Sequence, residues 1–330
     1  GTSMGMVCGD FDNDGDTDIF VLNDVAANFL FVNDGTGKFE EAGLATGTAY
    51  NGNGDETGSM GVDCGDYDND GCLDLMMTCY QNELPVLYRN LGDGTFEDVT
   101  VAANAGEGAY PYVNWGVGLV DFDNDGDKDL FLANGHLQDN VGLYDDSTAY
   151  EARNILLMNQ GDGRFVNVSD QCGDGLLPAL SSRGTGFDDL DGDGTVDAVI
   201  LNSRREPTIL RNESRGGHWI QLQLRGTRTN RDAVGTQVRV TAGGRTWVDE
   251  VHSGRGYQSR YGLRLHVGLG ASDRIDRLEI RWLGGGVTVL ENLPVDRGLT
   301  VIQEGVGSDV QNSILPGKSS ATGTVPIRQN

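Results

Sequence analysis

The phrase Asp-x-Asp-x-Asp-Gly-x-x-Asp is written four times in this chain, at Asp10–Asp18, Asp66–Asp74, Asp121–Asp129 and Asp189–Asp197. Alternate carboxylates fall on one side of a tight loop, with glycine where the backbone turns sharply. Hard oxygen donors at positions 1, 3, 5 and 9, with a backbone carbonyl at position 7, form the set that calcium prefers. The candidate metal ligands are Asp10, Asp12, Asp14, Asp16 and Asp18; Asp66, Asp68, Asp70, Cys72 and Asp74; Asp121, Asp123, Asp125, Asp127 and Asp129; and Asp189, Asp191, Asp193, Thr195 and Asp197. Asp16, Cys72, Asp127 and Thr195 hold position 7 and offer their carbonyls. About four Ca2+ ions are expected, one per repeat, because carboxylates gathered without a cation repel by an amount on the order of several kcal/mol. A fully ligated calcium has no open position for substrate, so no catalytic residue is assigned here.

The loops start 56, 55 and 68 residues apart, and the order within each period is the same. A short strand approaches the loop (Met4–Gly9, Met60–Gly65, Gly116–Val120, Gly184–Phe187) and a β-rich strand leaves it (Asp18–Leu22, Leu73–Thr78, Leu130–Ala133, Val196–Leu201). A third strand runs to an Asn-containing turn at Asn33, Asn90, Asn159 and Asn212, and a fourth opens at Phe39, Phe96 or Phe165. Gly and Asn in those turns supply the positive φ that tight hairpins need. No stretch shows a helical period. Four antiparallel strands per repeat predict an all-β fold of propeller blades; a stacked solenoid is the rival, but its repeats tend to be shorter.

These segments resemble FG-GAP/VCBS-type repeats, the calcium-loop blades of integrin-α propellers and of many secreted bacterial proteins, over about residues 1–213. The resemblance implies one metal per loop and commonly a ring of seven blades, of which four are visible. The fourth repeat is incomplete: after Asn212 the chain reads Glu-Ser-Arg-Gly-Gly, with neither the Gly-Asp-Gly turn nor the Phe that opens the last strand. Nothing upstream of Gly1 is present to donate that strand, so an unpaired edge is expected. Two explanations compete. Either earlier blades belong to a longer precursor, or another molecule lends the strand, with the polar tail 305–330 bridging copies as a homo-oligomer or polymer.

From about Gly217 the pattern changes. Strands are expected at His218–Leu224, Val234–Thr241, Thr246–Val251, Leu263–Val267, Ile275–Trp282, Val287–Leu290 and Leu299–Gln303, a small β-sandwich. Asn230-Arg-Asp-Ala-Val-Gly, Ser253-Gly-Arg-Gly-Tyr, Leu265-His-Val-Gly-Leu-Gly and Leu278-Glu-Ile-Arg-Trp, in that order, closely resemble an ASPIC/UnbV domain. That family is associated with extracellular matrix and with secondary-metabolite gene clusters, without one agreed activity. The expected domains are 1–213 (propeller repeats), 214–304 (sandwich) and 305–330 (extended tail).

Charge divides along the same line. Residues 1–214 hold 9 Lys+Arg against 40 Asp+Glu, while 215–330 hold 15 against 10. The acidic half repels nucleic acid and anionic membrane. No apolar run approaches the roughly 18–20 residues of a membrane helix, and no leader pattern stands at Gly1. Cys8, Cys64, Cys72, Cys79 and Cys172 contain no C-x-x-C pair, which argues against zinc or thioredoxin-type chemistry; Cys8 and Cys64 stand at equivalent positions where they could face each other. Loops of this kind bind weakly, so millimolar calcium outside the cell would keep them filled, and an extracellular or cell-surface location is expected.

His136, His218, His252 and His266 are dispersed, with no His-Glu-x-x-His or Gly-x-Ser-x-Gly, and His218 and His266 read as packed or surface residues. Arg255, Tyr257, Arg260, Tyr261 and Arg264 form either a binding patch for carboxylate or sugar or, preferably, a face laid against the acidic propeller. The insertion His136–Arg153 is a place to look for a partner contact. Asn167-Val-Ser and Asn212-Glu-Ser fit the N-glycosylation pattern. The expected function is a non-catalytic, calcium-stabilised extracellular scaffold that self-assembles. An adhesion or glycan- or protein-binding module is the second reading, and a secondary-metabolism enzyme the third.

Overall fold

The structure, a computed structural model, describes residues 2–303; the tail assigned to assembly lies outside the described residues. Three four-stranded antiparallel sheets come first, each a meander. They are β1 (Ser3–Gly9), β2 (Asp18–Asn23), β3 (Phe29–Asn33) and β4 (Phe39–Glu41); β5 (Val62–Gly65), β6 (Asp74–Met77), β7 (Val86–Asn90) and β8 (Phe96–Asp98); and β9 (Asn114–Val120), β10 (Asp129–Asn134), β11 (Ile155–Asn159) and β12 (Phe165–Asn167). A fourth sheet has three strands, β13 (Ser182–Asp188), β14 (Asp197–Asn202) and β15 (Thr208–Leu210). The first strand of each sheet lies beside the first strand of the next, β1 by β5, β5 by β9 and β9 by β13. That is the arrangement of consecutive propeller blades.

Burial follows from it. Each blade-to-blade interface has its own apolar core. Phe20, Leu22 and Leu30 meet Leu75, Met77 and Tyr88; Met76 and Leu87 meet Leu119, Leu130 and Leu157; Phe122 and Phe131 meet Phe187, Ala198 and Ile200. Blades 2 and 3 are covered on both faces, so β6 and β10 are buried throughout. Among the described residues, blades 1 and 4 are covered on one face, and β2 and β14 carry half-exposed or exposed residues among buried ones. Two one-turn helices, α1 (Gly43–Thr46) and α2 (Thr100–Ala103), follow β4 and β8; four residues are too few to leave a helical period, and the sequence reading missed both.

Seven strands complete the described chain: β16 (His218–Arg225), β17 (Gln237–Ala242), β18 (Arg245–Glu250), β19 (Arg264–Gly270), β20 (Arg274–Arg281), β21 (Val287–Pro294) and β22 (Arg297–Ile302). They form two sheets, β19-β16-β22 and β18-β17-β20-β21, around one core built from Ile220, Leu222, Val238, Val240, Leu265, Val267, Leu278, Ile280 and Leu299. The β16–β22 pair is parallel, a pairing across some eighty residues that strand-by-strand reading does not reveal. Among the described residues no helix is long and apolar enough to cross a membrane.

Candidate metal centres

Each Asp-rich loop joins the first and second strands of its blade, and the backbone explains why the phrase is fixed. Position 4 is left-handed in all four copies (Asn13, Asn69, Asn124 and Gly192, φ 62, 59, 61 and 76°), and so is the position-6 glycine (Gly15, Gly71, Gly126 and Gly194, φ 96, 93, 92 and 94°). Asn and Gly tolerate that region best. These two reversals fold the loop back so that the first carboxylate caps it. Its Oδ2 accepts the position-6 N–H at 3.1, 3.0, 2.9 and 3.0 Å for Asp10, Asp66, Asp121 and Asp189. The position-9 carboxylates, Asp18, Asp74, Asp129 and Asp197, each accept the position-2 N–H at 2.9 to 3.0 Å.

In every loop three carboxylates bring ligand oxygens within 4.8 Å of one another: Asp10, Asp12 and Asp18; Asp66, Asp68 and Asp70; Asp121, Asp123 and Asp129; Asp189, Asp191 and Asp197. The convergence is narrower than the full ligand list. Asp14, Asp125, Asp193 and Asp74 stand outside these groups; the position-5 carboxylate accepts the N–H of position 7 in all four loops, whether inside its group, as Asp70 is, or outside. Of the position-7 residues, Asp127 has its side chain engaged by Asn69 at 2.6 Å and Arg245 at 2.7 Å, which leaves its carbonyl as the donor to a metal. Asp10 Oδ1, Asp16 Oδ1 and Asp121 Oδ1 are buried without a hydrogen-bond partner among the described residues. A buried carboxylate oxygen with no donor is costly, and an all-oxygen set of this kind fits a hard divalent cation.

The carboxyls register the same strain. Burial, with Asp12 adding to it, pushes Asp10 up to about 6, and burial raises Asp18 and Asp66 to about 7. Burial and then Asp125 raise Asp121 to about 7. Groups whose folded pKa exceeds the unfolded value stabilise the fold at low pH and lose that contribution as pH rises through the folded pKa. Metal-free protein, prepared over a chelating resin, should therefore melt higher at pH 5 than at pH 8. With calcium saturating, the order should reverse, because protons then compete with the ion. Paired thermal melts check both signs.

The recurrent Asn at the third-strand turn does more than turn the chain. Its backbone N–H donates to position-9 Oδ1 of its own loop, at 2.9, 2.8, 2.9 and 2.8 Å for Asn33, Asn90, Asn159 and Asn212. In blades 2 to 4 its side-chain N–H also reaches the position-2 carbonyl of the preceding blade: Asn90 to Phe11 at 2.8 Å, Asn159 to Tyr67 at 2.8 Å, Asn212 to Phe122 at 2.7 Å. Position-4 asparagines latch forward, Asn69 to the Gly126 carbonyl and Asn124 to the Gly194 carbonyl. The loops are thus interlocked. Recurrence of Asn33, Asn90, Asn159 and Asn212 is the signal available in the sequence, and by itself it indicates turn chemistry alone. Asn90→Ala should cost about 1–3 kcal/mol by leaving buried carbonyls unpaired. Asn33→Ala, whose amide reaches only its own loop at Thr17, should cost less; urea titrations compare the two. The same bonds occupy the Asn212 amide that a glycan would need.

The C-terminal module reaches back across the blades. Gly256 bridges Val62 on β5, Tyr257 packs on Trp115 with ring centroids 4.9 Å apart, and Tyr261 packs on Phe187. Segment 251–262 therefore runs along the first strands of the blades. Of the Arg/Tyr cluster, Arg255, Tyr257, Tyr261 and Arg264 lie against the propeller, Arg264 pairing with Asp188 at 2.7 Å, while Arg260 is exposed. Arg255 stands 3.6 Å from the buried Asp63 and 4.3 Å over the Tyr261 ring. Cys8 and Cys64 do not bond: all five cysteines are free, and the buried His252 ring lies between them, 3.4 Å from Cys64 Sγ and 2.9 Å from the Cys8 carbonyl. Burial lowers His252 to about 4 and His266 to about 3, so both are neutral packing residues at pH 7.

The FG-GAP-like repeat model matches residues 10–77 and 78–132, which hold the first three loops, and the ASPIC and UnbV model matches 226–308. Cartilage acidic protein 1 of Homo sapiens is 27% identical over 278 residues, 82% of this chain and 39% of that protein; its Mus musculus counterpart is 25% identical over 306 residues, 91% of this chain and 42% of that protein. The chain thus spans less than half the length of these relatives. Among solved structures, an Agrocybe aegerita lectin that recognises terminal N-acetylglucosamine aligns with a TM-score of 0.41 at 16% identity, over 87% of this chain and 79% of that one. The chain is built from FG-GAP-like repeats and an ASPIC and UnbV domain, and is similar to cartilage acidic protein 1 over most of its length.

Proposed function

We propose that the chain is a non-catalytic extracellular scaffold whose blades are held in register by calcium, one ion in each Asp-rich loop. The observation that carries this reading is the repetition of one loop geometry four times, each with three converging carboxylates, together with buried oxygens in the first and third loops that no donor reaches. The likeness to cartilage acidic protein 1 supports a place outside the cell. Calcium, when bound, supplies positive charge that cancels carboxylate repulsion. The residues supply the rest: Asp10, Asp66, Asp121 and Asp189 cap their loops, and Asn90, Asn159 and Asn212 tie each loop to the one before it. Calorimetric titration of metal-free protein tests the reading; silence at millimolar calcium would reject it.

Self-assembly is the finer part of the proposal. The three-residue strand β15 lies at the edge of the fourth sheet, with Ile209 exposed, where an added strand would pair. Light scattering on the chain and on a version ending at 303 tests it, with loss of oligomers on truncation expected.

A ligand-binding role has its own observation. Leu137, Gln138, Asp139, Asn140, Tyr144 and Tyr150, from the insertion in the third blade, with Ser203 and Arg204, line an open groove of about 410 Å³. Two phenol rings beside amide and carboxylate groups suit a polar, ring-shaped ligand such as a sugar. A glycan array, with Tyr144→Ala as control, tests this second reading.

A further inference from the structure

We propose that the third loop is an interdomain metal site with the C-terminal module as its lid, so that one of the four ions cannot enter or leave until that module lifts. This inference rests on the calcium reading above and adds a division among the sites. In the other three loops part of the phrase faces solvent: Asn13, Asp14 and Gly15 in the first, Asp70 in the second, Asp191, Gly192 and Asp193 in the fourth. In the third, every residue from Asp121 to Asp129 is buried or half-buried.

The cover is made by the C-terminal module and by the connector that leads to it. Arg245 on β18 holds Asp127 at 2.7 Å, and the Trp247 indole lies against Gly126 so closely that a side chain there would overlap it. His266 on β19 stands 2.6 Å from Asn124 Oδ1, the Gly270 N–H donates to the Asn124 carbonyl at 2.9 Å, and the Gly217 N–H donates to the Asp123 carbonyl at 3.1 Å. Gly268 faces Asp121, and a Cβ on it would collide with Asp121 Oδ2. That collision explains the first glycine of the stretch His266-Val-Gly-Leu-Gly: β19 approaches the carboxylate more closely than any side chain allows. Beneath this cover Asp121, 4% exposed, keeps Oδ1 without a partner. An ion there would lie under this cover, in a loop with no fully exposed residue. Ion and lid must then strengthen each other reciprocally, because whatever binds the docked state better shifts the molecule toward it.

Terbium is a suitable probe, since it takes calcium's oxygen sites and emits when a nearby indole is excited; Trp247 lies beside the third loop and Trp219 beside Gly194 of the fourth. The full chain is loaded with Tb3+, mixed rapidly with excess chelator, and the loss of sensitised emission and of bound metal is followed. Three equivalents should leave quickly and one more slowly by roughly tenfold or more, the factor held back by about 1.4 kcal/mol of closure. Trp247→Phe should weaken the sensitised part of the slow phase, with Trp219, stacked on His266, left as the other nearby indole. Gly268→Ala, a wedge under the lid, and Arg245→Ala, a milder loosening, should each bring the fourth equivalent to the rate of the others. Asp191→Asn should delete one fast equivalent and leave the slow phase intact. Release of all four at one rate, or a slow phase that survives both lid variants, overturns the lid. Absence of any bound metal overturns the calcium reading itself.

Discussion

Removing calcium should lower the melting temperature of this chain by at least roughly 10 °C. A ligand that binds only the folded state adds about 2.7 kcal/mol per site at a hundred times its Kd. For a protein of this size each kcal/mol moves Tm by about 2 to 4 °C. Four filled sites at that saturation therefore carry about 11 kcal/mol, comparable with the whole margin of roughly 5–15 kcal/mol by which domains are stable. The physical source is local: carboxylates in each loop lie within 4.8 Å of one another, and burial already pushes several of them toward neutrality, Asp10, Asp18, Asp66 and Asp121 among them. The loops sit at the ends of strands that make the blade interfaces, where Phe11, Tyr67 and Phe122 pack into the cores between blades. Loss of the ion should loosen those interfaces together. Differential scanning calorimetry with and without excess EGTA at pH 7.5 measures it, and an unchanged melt would refute the metal's structural role.

The second large effect is expected at Arg255. Asp63 is fully buried on β5, accepting N–H groups of Cys64 and Leu119 at 2.9 Å each and the hydroxyl of Tyr261. Burial pushes its carboxyl up, against Arg255 and these hydrogen bonds, which pull it down. Arg255→Ala leaves that group without its counter-charge, and breaking a buried pair from one side costs about 3–5 kcal/mol. Arg255→Met with Asp63→Asn should cost much less than Arg255→Ala alone, since no charge is stranded. In Arg255→Ala the carboxyl of Asp63 titrates higher still. Its protonated form then suits the fold, so the penalty should shrink as pH falls and grow as it rises. Urea denaturation at pH 5.5 and 7.5 separates this signature from lost packing over Tyr261.

The contrast between what could and could not be read from the residues has a physical basis. Loop phrase and strand order were legible because both are local. Asp10–Asp18 folds on its own N–H groups, and Phe39, Phe96 and Phe165 open strands where hairpin geometry puts them. The side chains that join modules are distant in sequence. Cys64 and His252 meet across 188 residues, Tyr261 and Asp63 across 198, and Asp10 and Glu250 across 240. No period or motif marks such pairs. The Asn latches fall between these cases. Their recurrence was visible, but a bond to the neighbouring blade needs the blades placed side by side first. Equivalent positions drew attention to Cys8 and Cys64, yet the ring between them belongs to the other module. The fourth loop shows geometry extending recognition: it lies beyond the matched repeats, yet it repeats the position-1, position-4, position-6 and position-9 pattern of the other three.

Native mass spectrometry counts the ions directly. The account predicts a mass increase of four calcium ions at millimolar calcium, falling by one in each of Asp12→Asn, Asp68→Asn, Asp123→Asn and Asp191→Asn. A folded chain that retains no calcium, or the same number in all four variants, would contradict it.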